Sequence, residues 1–121
     1  MMIRGRAFRT GNVMVNWKIK QAVAAWLSDA TAAEATYGHI STWETGGVTD
    51  MSWLLCGSSS YSSDGCNSAA ASFNEDIGAW DTSGVTSMYA MFHESSFNQN
   101  IGGWSVANVH GMGRMLSLIH I

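Results

Sequence analysis

The stretch FNEDIGAWDTSGVTSMYAMF at 73–92 returns 24 residues later as FNQNIGGWSVANVHGMGRML at 97–116. Phe73 and Phe97, Asn74 and Asn98, Ile77 and Ile101, Trp80 and Trp104, Val85 and Val109, and Met88 and Met112 coincide at that offset. An earlier unit carries Ile40, Trp43, Val48, Met51, Leu54 and Leu55, displaced by 37 residues from its successor. That is one period plus an insertion of 13. A unit this small cannot bury its apolar face alone, so it must stack on its neighbours, and about three units are the usual minimum for stability.

Within a unit, Val85, Met88, Met91 and Phe92 step by 3, 3 and 1, the spacing of one helical face. Ser83 or Thr86 is suited to cap such a helix. The residues around Asp76 to Asp81 read as a short extended segment entering a turn at Thr82, Ser83 and Gly84. Strand, turn, short helix and return in 24 residues is the format of leucine-rich repeats. The expected fold is therefore an α/β, leucine-rich-repeat-like solenoid of about three repeats over 39–116. Its expected core is Ile40, Trp43, Val48, Met51, Ile77, Trp80, Val85, Met88, Ile101, Trp104, Val109 and Met112. Upstream, Ile19, Val23, Trp26 and Leu27 repeat at helical spacing behind Asn16, a candidate N-cap. A second helix from Ser28 or Asp29 to Tyr37, closed by Gly38, completes an expected N-terminal helical cap over 16–38.

The insertion, 56–68, contains GSSSYSSDG at 57–65, a loop composition. Insertions in repeat proteins map to loops on one face, often the binding face. Ser58, Ser59, Ser60, Tyr61 and Asp64 are accordingly the candidate partner-binding residues.

Charge narrows the function classes. Five of the six basic residues lie in the first 20 positions, and none falls between 21 and 113, where all nine acids lie. Such a body lacks the basic stripe that neutralises phosphates, so nucleic acid is not the expected partner. No apolar run approaches the ~18–20 residues that span a bilayer. Residues 1–15 are Arg-rich but lack the apolar core of a secretory signal, and read as a disordered or non-native lead-in. The 117–121 tail breaks the repeat and reads as non-native, which would leave the chain a fragment of a longer array.

The repeated motif resembles the units of BspA-like leucine-rich-repeat surface proteins, the repeat family of unknown function also found in mycoplasma lipoproteins. Their units look like F-N-Q-D-I-S-x-W-D-[TV]-S-x-V-T-x-M-x-x-M-F, and the resemblance runs from Ile40 to Leu116 apart from the insertion. It implies a non-enzymatic module for adhesion or protein binding at a cell surface, without a cofactor and without catalytic residues. Cys56 and Cys66 bracket the insertion. They read either as a disulfide, which suits an oxidising compartment, or as two thiols at the loop's base.

Other constellations are weaker. Glu75, Asp76 and Asp81 read as solvated or turn-capping residues before they read as a cation site. His39, His93, His110 and His120 are scattered, and no nucleophile motif accompanies them. The expectation is a monomeric interaction module whose partner is a protein or a cell-surface component. An intracellular scaffold or a divalent-cation-binding domain is the alternative.

Overall fold

A computed structural model of the chain describes residues 10–113 and 115. The expected α/β solenoid is not what it shows. Among the described residues there are two short helices, α1 (Asn16–Ser28) and α2 (Ala30–Tyr37), and no β-strand or sheet. Four 3-10 turns complete the regular structure: Thr10–Asn12, Ile40–Thr42, Ser62–Asp64 and Ser68–Ser72. Only isolated parallel bridges join the rest, Val13 to Glu44, Asp50 to Ser87, and Ser87 to Gly111.

The hydrogen bonds explain why neither strand nor repeat helix forms. The amides of Met51, Trp53, Leu55 and Gly57 donate to the carbonyls of Ser87, Tyr89, Met91 and His93 in the next unit. The amides of Met88, Ala90 and Phe92 donate in turn to Gly111, Gly113 and Met115. Between them, Leu54 and Cys56 donate to Met51 and Trp53, and Met91 and His93 to Met88 and Ala90, closing three-residue turns. A strand would spend both sets of groups on its neighbours, and an α-helix would spend them on i→i−4 bonds. Here the backbone divides them. Trp53 and Ala90 adopt φ of 63° and 55°, conformations that break an extended or right-handed helical run.

The helical face expected at Val85, Met88, Met91 and Phe92 is thus a succession of turns. All four side chains are nevertheless fully buried. A three-residue turn returns every third side chain to the same side, just as a helix nearly does.

The repeat register holds in the core. Trp43 and Trp80 stack at 6.1 Å and 13°, and Trp80 and Trp104 at 6.4 Å and 1°. Each indole Nε1–H also reaches backward: Trp43 donates to the Gly38 carbonyl, Trp80 to Ile40 and Trp104 to Ile77, over 2.8–3.1 Å. Ile40 and Ile77 are fully buried, each contributing ~1.5–3 kcal/mol. Phe73 stacks on Phe97 at 6.0 Å. Of the expected core, Ile101 and Val109 are only half-buried, and Met112 is 42% exposed. These three belong to the last unit, which has a repeat neighbour on one side only among the described residues.

The helical pair is present at the N-terminal end. In α1, Ile19, Ala22, Val23 and Trp26 recur on one face and are buried. Trp26 meets Trp43 edge-on at 6.2 Å and so closes the tryptophan column. Asn16 does not cap α1; Val15 precedes the helix without a side-chain bond. The Asn16 side chain instead accepts from the amides of Thr49 and Asp50 and donates to Thr49 Oγ1, tying the helix to the first unit. In α2 the Asp29 carboxylate accepts from the Ala32 amide, an ordinary N-cap, and Gly38 at φ 81° ends the helix.

Residues 10–15 do not behave as a disordered lead-in. Met14 is fully buried, its amide donates to Glu44, and Glu44 donates back to Asn12. Residues 1–9 and the expected non-native tail at 117–121 lie outside the described residues.

Candidate functional site

The insertion packs closely at its base. Cys56 and Cys66 are bonded, with Cα atoms 4.7 Å apart, and both are buried. The Asn67 amide donates to the Cys56 carbonyl, and the Cys66 amide to Tyr61. Gly57 is required by proximity: a Cβ there would lie 2.5 Å from Ala71 Cα and 2.6 Å from the Glu94 carbonyl oxygen. Ser68–Ser72 then carries the chain back, with Ala70 in the core and the Asn67 side chain accepting from Ala69.

This anchoring sorts the candidate contact residues. Ser58 points inward at 1% exposure; its amide donates to Cys56 Sγ and its hydroxyl accepts from the Ser60 amide. Ser59, Ser60 and Asp64 are exposed. Tyr61 is half-buried because its ring lies on Trp53, 5.3 Å away at a 37° tilt. Trp53 also meets Tyr89 at 5.4 Å, and Tyr61 meets His93 at 5.9 Å, both edge-on. Tyr89 is 38% exposed. The insertion thus brings an aromatic group together from three separate segments. Beside it, between α1 and the insertion, is a cavity of about 170 Å³ lined by Val23, Leu27, Trp53 and Leu54, with Lys20 and Asn67 among its polar residues.

Sequence reasoning found Tyr61 but not Trp53, Tyr89 or His93. One signal was available. Trp53 is off the phase of the tryptophan column, so the repeat core does not account for it.

The other candidate residues take structural partners. The Asp76 carboxylate accepts from the Gly78 amide and Asn100 from Gly102, the same Asx turn in successive units. Asp81 accepts from both the amide and the hydroxyl of Ser83, which hold its carboxyl below the usual range. At Asp50, burial pushes the pKa up. The hydroxyl and amide of Ser52, with the charge of Lys20, outweigh that and leave it lowered. Asn74 Oδ1 accepts from the Asn98 amide at 2.7 Å, a link between units. His39 bonds Ser41 through Nδ1 and stands 3.9 Å from Glu75; His93 stands 3.4 Å from Glu94. Among the described residues no three His, Cys, Asp or Glu side chains converge on a metal-sized site. No helix among them is long and apolar enough to cross a membrane.

A family model described as "Mycoplasma protein of unknown function, DUF285" matches residues 27–119, more than half of the chain, and the chain belongs to that family. No curated protein and no solved structure matches it.

Proposed function

We propose that this DUF285 chain is a non-enzymatic interaction or adhesion module that meets its partner through the insertion face. The observation that carries the reading is the aromatic group in which both Tyr61 and Tyr89 meet the Trp53 ring, beside the exposed Ser59, Ser60 and Asp64. Tyrosine and tryptophan offer large contact area at low conformational cost, with a polar handle each, and they dominate interface hot spots. The Cys56–Cys66 disulfide closes the loop that carries Tyr61, so that ring has little ordering left to do on binding. The resemblance to BspA-like surface proteins favours a protein or cell-surface partner. The bonded Cys56 and Cys66 suit an oxidising compartment such as the cell exterior. His39, Asp76 and Asp81 engage neighbouring groups of the fold, which favours structural roles for them over catalysis.

The test is binding of the purified, oxidised protein to intact cells and to immobilised extracellular-matrix proteins. The double variant Tyr61→Ala, Tyr89→Ala should weaken binding by roughly 30-fold, the size expected for removing hot-spot aromatics. Its melting temperature should stay close to that of the parent. Absence of binding to any of these surfaces, or equal binding by the double variant, would overturn the proposal.

A further inference from the structure

The cavity between α1 and the insertion is walled mainly by apolar side chains. Val23, Ala24 and Leu27 come from α1, and Trp53 and Leu54 from the first unit. Val23 and Leu54 are buried, Leu27 and Trp53 half-buried, and Ala24 exposed. Trp53 is the wall that the repeat does not require. At its phase in the next unit, 37 positions on, stands Ala90, fully buried and with a φ of 55° against 63° for Trp53. An alanine therefore suffices for the turn. A bulky residue at positive φ is uncommon, and strained positions of this kind gather at binding sites.

Size and charge limit what the cavity holds. Its volume is about 170 Å³. An apolar cavity of about 150 Å³ admits one benzene ring, whereas sites for drug-sized ligands begin at about 300 Å³. A cofactor or nucleotide is too large. Lys20 is the one cation among the lining residues, and its charge already acts on the Asp50 carboxylate. Ser52 gives its amide and hydroxyl to the same carboxylate, and the Asn67 side chain accepts from the Ala69 amide. The polar rim is largely engaged within the fold, so the apolar walls decide the occupant.

We propose that this cavity takes one neutral apolar side chain of about phenylalanine size, presented by the protein partner that covers the insertion face. Trp53 belongs to both places: it walls the cavity and meets the rings of Tyr61 and Tyr89. A partner lying over the tyrosines is thereby brought to the mouth of the cavity. An anchor that fills a desolvated pocket is the usual energetic centre of a protein interface. The inference rests on the insertion face being the binding face, and adds the anchor.

The first probe is toluene, followed by nuclear magnetic resonance on the oxidised full chain. It should shift the methyl signals of Val23, Leu27 and Leu54 and the indole signal of Trp53. Ala24→Phe fills the cavity from an exposed helix position and should leave the melting temperature unchanged. It should abolish the toluene shifts and weaken binding to cells or matrix proteins roughly tenfold, the loss of one anchor. Absence of toluene shifts overturns the proposal, as does full binding by Ala24→Phe. If Tyr61→Ala, Tyr89→Ala loses binding while Ala24→Phe keeps it, the insertion face remains the binding face and the anchor is refuted. Contacts from residues 1–9 to the cavity methyls in the toluene-free protein would make that segment the occupant, and overturn the proposal too.

Discussion

Gly57 shows how much one backbone position decides. It sits where the insertion leaves the first unit and passes between Ala71 and Glu94, with no room for a Cβ. Its amide also donates to the His93 carbonyl, so the contact with the next unit cannot open without losing a hydrogen bond. Gly57→Ala should therefore destabilise by about 3 kcal/mol, the upper range of overpacking. A urea titration would read this as a lower midpoint with an unchanged slope. An unchanged midpoint would mean that the insertion base is loosely packed. Some residue roles were legible in advance and some were not. Asp29 and Gly38 end α2 as their residue types suggest. Asn16 looks like a cap by type and position, yet its amide side chain joins the first unit instead. Local preference and a tertiary contact compete for the same side chain, and a sequence does not state which wins.

At the level of the element, the period was readable and the backbone conformation was not. The 24- and 37-residue offsets place Trp43, Trp80 and Trp104 in one stack. A spacing of three within the unit fits an α-helix, but it fits a chain of three-residue turns equally well. What separates them is whether amides bond within the segment or across units, and side-chain pattern is silent on that. The aromatic group of the insertion face was hidden for a related reason. Trp53, Tyr61 and Tyr89 lie in different segments, at spacings of 8 and 28 residues, and follow no common phase. The tryptophan stack also yields a test of its own. Trp80→Phe keeps an aromatic ring but removes the Nε1–H that serves the Ile40 carbonyl. The Ile40 carbonyl would keep only the long 3.4 Å bond from the Trp43 amide, and losing the indole's hydrogen bond costs about 1 kcal/mol. Chemical denaturation followed by far-ultraviolet circular dichroism should show that loss, and a neutral result would mean that stacking alone holds the column.

The molecule as a whole inherits a response to acid from its turns. Asp50 and Asp81 both sit two residues before a serine whose amide and hydroxyl they accept, and both have carboxyl pKa values below the ordinary 3.8. A group whose pKa is lower when folded lends stability that is fully present above its unfolded value. That stability fades as pH falls through the folded value. The melting temperature should hold steady at neutral pH and decline below about pH 4, where the unfolded carboxyls begin to protonate. Asp50→Asn with Asp81→Asn should flatten part of that decline. If the double variant melts with the same acid profile as the parent, other carboxylates govern the response.

The hydrogen bonds between units carry one more consequence, for how such a gene can change. Thr45 Oγ1 donates to the Asp81 carbonyl, Thr82 Oγ1 to Ser105, and the Met51 and Met88 amides to Ser87 and Gly111. Each unit therefore offers its neighbour the same sockets. If residues 74–97 were lost in one recombination event, Thr45 would find Ser105 where Asp81 had been, Met51 would find Gly111, and the Trp104 indole would reach Ile40. A loss or gain of 24 codons leaves that wiring matched, as does extra length confined to the loop that carries the 13-residue insertion of the first unit. Lineages carrying this motif are thus free to vary in copy number while the joint between copies stays fixed.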